Sequence, residues 1–349
     1  MSRLFICSVV PNEYIVKLKA SQAANNFCYR LINGNCFDKI YSVLPISYNF
    51  VPYKDDKITY FTNKGTNVLS KLFKFVINTI NVVKKAKTYD DIWFYNINNS
   101  NAFVFLFLKI FYRKRLFVIM ADYTPSNNIF SFQYFIGRLI NIADGIISLS
   151  SRSCFKFKRN QKILPGIIDD KMLDDNVNPN NKIIFLFSGT LSKITGFEMA
   201  LKTFSKIPQA QLYISGNGSF VDDYACFKNI HFMGNLEYDQ YLELLNSSTV
   251  CLNFRDPKLA ENNNNFPSKI LDYFSRGKIV LSTIMYPEID GANYLYCSFN
   301  ETSIINMVNE ILKMPIPELK KYSYNNEFLK NNFSLDAWKK AFKAIEMYR

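Results

Sequence analysis

Blocks of apolar residues, separated by polar turns, follow one another along the chain and predict strands and helices by turns. In the first half, residues 4–10 read as a strand, 21–32 as a helix closed by Gly34, and 92–95 as a short strand. Residues 103–112 then read as a helix, 116–121 as a strand, 132–142 as a helix and 145–149 as a strand. The second half repeats the rhythm, with strands in 182–189, 210–218, 229–236, 249–254 and 278–283 and helices over 197–207, 238–245 and about 267–276. Strands that alternate with helices pair in parallel, and helices then cover the sheet. Two such runs predict an α/β protein of two domains, with ligands at the carboxyl ends of the strands and hence in the cleft between domains. The boundary is expected near residue 180, where "DDNVNPNNK" (174–182) is rich in Asn, Asp and Pro.

A length of 349 residues and an apolar share of 48% suffice for two cores. The longest uncharged apolar run, 102–108, is ended by Lys109 and followed by Arg113, Lys114 and Arg115. That is far short of the roughly 20 residues a membrane-spanning helix needs. The opening "MSRLFICSVV" has one Arg and no small-residue cleavage pattern, so a first strand is expected there rather than a secretion signal. Seven cysteines, odd in number and never in a C-x-x-C spacing, read as reduced thiols of a cytoplasmic protein and suggest no zinc site. Charge is divided unevenly: residues 1–180 carry 24 Lys and Arg against 12 Asp and Glu, a net +12, and residues 181–349 a net +1. A basic half attracts nucleic acid, an anionic membrane surface or a phosphate-bearing substrate, or else is a solvated face without a partner.

Glycine is scarce, at 12 residues, so each is expected where the backbone requires it. Gly189, Gly216, Gly218, Gly234 and Gly277 stand at predicted strand or helix ends, where a residue without Cβ serves a turn or lets a ligand approach the backbone. No G-x-G-x-x-G or Walker sequence occurs, so nothing supports a nicotinamide or P-loop site. The stretch "ENNNNFPSKILDYFSRGKIVLST" (261–283) carries more chemistry. Pro267 in a first helical turn and Gly277 just past the last bracket a helix of about 267–276. Its amino terminus favours a phosphate, and Lys269 adds a full positive charge. Asp272, three residues after Lys269 and four after Ser268, shares their face and can accept hydrogen bonds from two ribose hydroxyls. The alternative is an Asp and Lys surface pair on a helix whose Ile270, Leu271 and Phe274 face a core.

In order and spacing, "FSGTLSKITGFEMALKTF", "LYISGNG", "NIHFMGNLEYDQYLELLNSSTVCLNFR" and "NNFPSKILDYFSRGKIVLST" resemble the carboxyl-terminal domain of GT-B fold glycosyltransferases of family four, over roughly residues 182–290. The resemblance implies two Rossmann-like domains facing a central cleft. Residues 1–180 would form the acceptor side, 181–330 would bind the nucleotide sugar, and a helix in 331–349 would cross back to the first domain. It further implies retaining transfer from a nucleotide diphosphate sugar to a glycan or lipid-linked saccharide in bacterial surface-polysaccharide synthesis. No cofactor, no bound metal and no nucleic-acid partner are implied. The family's donor motif is two acids eight positions apart, here Asn264 and Asp272. By resemblance Asp272 binds the ribose, Asn264 faces the donor sugar, and Lys269 or the backbone of Asn265, Phe266, Pro267 and Ser268 meets the diphosphate. Gly189 and Gly216 would lie against the donor, and Asn262 and Asn263 read as loop filler. Relatives usually have basic residues directly after the first of those glycines and just before Gly196, where this chain has Thr190 and Thr195. Lys193, Arg255 and Lys269 remain as cations for a leaving diphosphate.

The first half matches less fully. "VPNEYIVKLKASQAANNFCYRLI" is similar to the first loop and helix of bacterial surface-polysaccharide glycosyltransferases, without their glycine pair. Asp122 and Tyr123, after "LFVIMA", are candidates to touch sugar or acceptor, with a turn cap as the other reading of Asp122. His231, the one histidine, falls in a predicted strand and reads as structural. "FVFLFLKIFYRKRLFV" (103–118) is either an interfacial helix touching anionic lipid, which suits a lipid-linked acceptor and a peripheral place at the inner membrane face, or a core helix followed by a charged turn. "FSLDAWKKAFKAIEMYR" is amphipathic, with Leu335, Trp338, Phe342 and Ile345 on one stripe. Two other functions stay open: a noncatalytic sugar-nucleotide or glycan-binding paralogue, in view of Asn264 and the two threonines, and a nucleic-acid binder, on charge alone.

Overall fold

A computed structural model describes residues 2–48, 55–63, 65–121, 123, 125–151, 160–169, 173, 182–218, 226–263 and 265–348. The chain divides into two compact units, Met1–Ile167 with Leu335–Arg349, and Ile168–Ser334. The linker expected at 174–182 lies, apart from Lys182, outside the described residues.

The first unit runs β1 (Arg3–Cys7), α1 (Asn12–Leu18), α2 (Gln22–Asn33), β2 (Lys39–Val43), β3 (Ile58–Phe61), α3 (Val68–Ala86), β4 (Asp91–Tyr95), α4 (Ala102–Ile110), β5 (Arg115–Met120), α5 (Phe132–Asn141), β6 (Gly145–Ser148) and β7 (Gln161–Ile163). The strands form one parallel sheet in the order β3-β2-β1-β4-β5-β6-β7. Helices cover both faces, so β4 is buried at every residue. Buried Asn25 on α2 grips the loop after β1, accepting from the Val10 N–H at 2.9 Å and donating to the Val10 carbonyl at 3.0 Å. The predicted elements are present with ends moved by three residues or fewer, and α1, β2, β3, α3 and β7 are additions to them.

The second unit runs β8 (Ile184–Ser188), α6 (Phe197–Phe204), β9 (Gln211–Ser215), β10 (Ile230–Gly234), α7 (Tyr238–Ser247), β11 (Val250–Asn253), α8 (Ala260–Asn263), α9 (Lys269–Ser275), β12 (Ile279–Ser282), β13 (Leu295–Tyr296), α10 (Glu301–Lys313), α11 (Ile316–Lys321) and α12 (Asn326–Phe333). Its parallel sheet has the order β10-β9-β8-β11-β12-β13. Successive strands step one way from β8 and the other way from β11. The loops leaving these two neighbours therefore part to opposite sides and open a crevice at their carboxyl ends.

After the second unit, α13 (Leu335–Met347) rejoins the first. Its Trp338, Phe342 and Ile345 are buried with Phe5, Phe27 and Trp93. The Trp338 indole donates to the Gly166 carbonyl at 2.8 Å and the Trp93 indole to the Glu346 carboxylate at 2.9 Å. A Cβ on Gly34 or Gly145 would overlap Leu335 or Ile345, so both glycines leave room for this helix. Arg3 pairs with Glu346, and Arg115 donates to the Glu346 carbonyl. Arg115 Nε also lies 3.3 Å from the fully buried Asp91 carboxylate. No described helix is long and apolar enough to cross a membrane.

Candidate functional site

The site lies in the second unit, at the carboxyl ends of β8, β9 and β11. Gly189 follows β8 with φ +128°, and its N–H donates to the Ser215 carbonyl at 2.9 Å. Gly216 follows β9 with φ +153°, and its N–H donates to the Gly234 carbonyl at 2.9 Å. Both amides are thus committed within the protein, and what these glycines offer is the missing Cβ. On Gly216 that atom would fall 1.6 Å from the Gly189 carbonyl oxygen. The two turns therefore run backbone against backbone. Gly196, the left-handed N-cap of α6, is pressed in the same way against β11, its Cβ position 1.3 Å from the Phe254 carbonyl oxygen.

Over this floor stands Lys269. Its Nζ lies 2.8 Å from where a Gly189 Cβ would be, so the ammonium occupies the space that glycine leaves at the end of β8. The residue is exposed, yet enough protein flanks the ammonium that loss of hydration pushes its pKa below the usual lysine value. The Asp272 carboxylate, one turn along α9, works in the opposite direction, and the neighbouring Arg255 cation adds to the depression. Arg255, half-buried beyond β11, is likewise held below the usual arginine value by desolvation. Among the described residues, neither cation has a carboxylate within ion-pair distance.

Arg255 is positioned by an asparagine. Its Nη1 donates to Asn262 Oδ1 at 3.2 Å, and the Asn262 amide donates to the Ile194 carbonyl at 2.9 Å and the Asp256 carbonyl at 3.0 Å. Asn262 is fully buried. The reading of Asn262 as loop filler is therefore corrected: one side chain with both a donor and an acceptor ties the β8–α6 turn, the loop after β11 and the guanidinium together. Thr283 adds a bond from its hydroxyl to the Arg255 carbonyl at 2.7 Å.

The helix expected from Pro267 begins at Lys269 instead. Pro267 is two residues upstream, its carbonyl accepting from the Ile270 N–H at 3.0 Å. The far end is a Schellman turn, with the Gly277 N–H on the Phe274 carbonyl at 2.9 Å and the Lys278 N–H on the Tyr273 carbonyl at 3.0 Å. Phe266 and Pro267 are buried, the Phe266 ring edge-on to Tyr286 at 5.3 Å, while Asn265 is half-buried and Ser268 exposed. Beneath α9, buried Tyr273 and half-buried Tyr241 flank the Ser188 hydroxyl at 2.7 and 3.4 Å. Burial pushes the Tyr241 phenol up to about 12, so both rings are uncharged supports.

The structure thus gathers Gly189, Gly216, Lys269, Asp272 and Arg255. Lys193 lies on the exposed turn between β8 and α6, its carbonyl accepting from the Gly196 N–H. In that turn the Thr195 hydroxyl donates to the Thr190 carbonyl at 2.7 Å, so the two threonines that stand in place of bases close the loop on itself. Asn264 and Asp122 lie outside the described residues, and the Tyr123 hydroxyl donates to the Gln133 carbonyl at 3.1 Å. His231, on the edge strand β10, bonds Gln211 at 2.9 Å and stacks on Tyr213. Among the described residues no group of three or more His, Cys, Asp or Glu is arranged to hold a metal ion.

No protein-family model and no curated protein matches the chain. Solved structures do. The sucrose-phosphate synthase of Thermosynechococcus elongatus is 12% identical, with 99% of this chain and 98% of that one covered and a TM-score of 0.68. A glycosyltransferase from Rickettsia africae is 13% identical, with both chains fully covered and a TM-score of 0.66. The UDP-GlcNAc 2-epimerase of Neisseria meningitidis, solved with UDP-GlcNAc, is 13% identical over both full lengths, with a TM-score of 0.57. Likeness at this identity shows the fold, and the fold is that of GT-B glycosyltransferases: α/β, with two parallel sheets covered by helices.

Proposed function

We propose that this chain is a retaining, metal-independent glycosyltransferase that moves a sugar from a nucleotide diphosphate sugar to a saccharide acceptor, free or lipid-linked, in surface-polysaccharide synthesis. The observation that carries the reading is the Lys269 ammonium, set over the bare backbone of Gly189 with Arg255 as its cationic neighbour. Two underhydrated cations with no ion-pair partner among the described residues, at the carboxyl ends of parallel strands, form a receptor for a diphosphate. Structures of this fold bound to UDP-GlcNAc and to UDP support such a ligand.

In this reading Lys269 and Arg255 take up the negative charge that develops on the departing diphosphate, while the acceptor hydroxyl attacks from the same face. Asp272 accepts hydrogen bonds from the ribose hydroxyls. Gly189 and Gly216, packed backbone on backbone, form the floor under Lys269 on which the donor rests, and Asn264, eight residues before Asp272, meets the sugar hydroxyls. Lys193 and Asp122 remain candidates at the rim of the donor and on the acceptor side. A thermal-shift screen of UDP, GDP and their sugar conjugates, followed by assay of nucleoside diphosphate release, tests the proposal. Stabilisation with acceptor-dependent release is expected, and no response to any nucleotide refutes it. Thr190 and Thr195 in place of bases favour a second reading, a noncatalytic sugar-nucleotide binder, for which stabilisation without turnover is the signature. In that case Asn264→Glu should leave turnover absent.

A further inference from the structure

Three neighbouring helices of the first unit leave a broad apolar face in water. On α3, Leu69 is 77% and Phe73 68% exposed, and Val76, Ile77 and Ile80 are exposed with them. The helix buries Thr79, Val82, Val83 and Ala86 instead. At about 100° per residue these five side chains fall within an arc of about 100° beside the buried stripe, and Val68 and Leu72, exposed in the first turns, extend the apolar surface onto the side that is buried further along the helix. α3 packs on α4 and α4 on α5. Phe103, Phe107 and Ile110 on α4 and Phe111 just beyond continue the face. Before α5 stands Phe130, 92% exposed, and Phe103 and Phe132 both pack on Phe135. Contiguous apolar surface on this scale marks an interaction site.

The charge around this face has one sign. Residues 57–89 hold seven lysines and no acid, and residues 92–121 likewise hold no acid. Exposed Lys84, in the last turn of α3, falls within the same arc, and Lys87 just beyond it lies over the Tyr112 ring at 5.1 Å, joining the α3 and α4 margins. We infer that this face docks on an anionic lipid surface, with α3 lying in the interfacial plane. Apolar and aromatic side chains in the centre with lysines at the margin match a bilayer's acyl boundary and its headgroups at once. A nucleic acid offers nothing to the apolar centre. A second copy of this chain would set one cationic margin against another. Docking differs from spanning, for which no described helix is long and apolar enough. The inference enlarges the expectation for residues 103–118, since α3 carries more of the exposed apolar surface than α4 and does not depend on which sugar is transferred.

The full chain sedimented with phosphatidylcholine vesicles, with and without phosphatidylglycerol, tests this. Binding is expected to the anionic vesicles alone and to weaken as salt is raised. Lys84→Gln with Lys87→Gln should weaken it roughly 25-fold, at about fivefold per lysine. Leu69→Gln with Phe73→Gln should weaken it more than about tenfold while leaving the melting temperature unchanged, because both residues are exposed. Should that pair fail to fold, Phe130→Gln reads the same face. Equal binding to uncharged vesicles, undiminished binding of these variants, or no binding by the unaltered chain overturns the inference. So does light scattering that shows a dimer abolished by Leu69→Gln with Phe73→Gln.

Discussion

Replacing Lys269 by Met should move stability and binding in opposite directions. Without ligand, the ammonium is held among protein atoms that depress its pKa, and no described carboxylate pairs with it. A side chain of similar length without the charge relieves that penalty, so the unliganded melting temperature should hold or rise. With a nucleoside diphosphate, the variant lacks one charged hydrogen bond to phosphate, about 1.5–3 kcal/mol, which weakens binding roughly 10- to 150-fold. At a ligand concentration of about 100 times the dissociation constant, the unaltered chain gains about 2.7 kcal/mol. A variant that binds about 100-fold more weakly gains about 0.4 kcal/mol at the same concentration. At about 2–4 °C per kcal/mol for a unit of this size, the shifts are roughly 5–10 °C and about 1 °C. Differential scanning fluorimetry with and without UDP or GDP distinguishes them. A variant that melts several degrees lower without ligand, yet keeps the full ligand response, would show that the lysine holds the fold and not the phosphate.

The same lysine predicts a pH dependence. Between its lowered value and 10.5 the unfolded chain binds the more protons, so this group makes stability rise with pH in that window. Phosphate binding needs the protonated form, and calorimetry should find affinity falling as pH rises, with the fall setting in before pH 10.5 is reached and flattened by Lys269→Arg. Gly216→Ala should cost ~3 kcal/mol or more in urea unfolding, because its Cβ would strike the Gly189 backbone, whereas Gly234→Ala, with nothing within 4 Å, should cost about 1–2 kcal/mol for its left-handed conformation. Arg115→Leu strands the buried Asp91 carboxylate and should cost near the lower end of about 3–5 kcal/mol, since the guanidinium is one-third exposed. Adding Asp91→Leu should restore most of that loss, and an additive double mutant would deny the coupling.

Much of the fold is legible because parallel strands covered on both faces must be continuously apolar, and glycines end the elements. Ser21, Gly34 and Gly277 mark helix ends in the sequence and do so in the structure. Lys269 and Asp272 are legible as a pair because helical spacing alone puts them on one face. Asn262 is not, since its three partners at 194, 255 and 256 meet only once the loops after β8 and β11 come together. The nearness of Arg255 to Lys269 is hidden for the same reason. α3 escapes the pattern because most of its apolar residues face water, so its apolar stripe does not point to the core. The start of α9 falls two residues late because Pro267, buried with Phe266, belongs to the loop that anchors the helix rather than to its first turn.

The return of α13 sets an order of events during synthesis. The sheet of the first unit is complete at Ile163, yet one of its faces is covered by Trp338, Phe342 and Ile345, which the ribosome reaches some 175 residues later. At about 5–20 residues per second the nascent chain waits roughly 10–35 s with Trp93 and Phe5 lacking their cover. The second unit, continuous in sequence, can close on itself in that interval. The half begun first is therefore the half finished last, and a ribosome stalled before codon 338 leaves an open apolar sheet for a chaperone to hold.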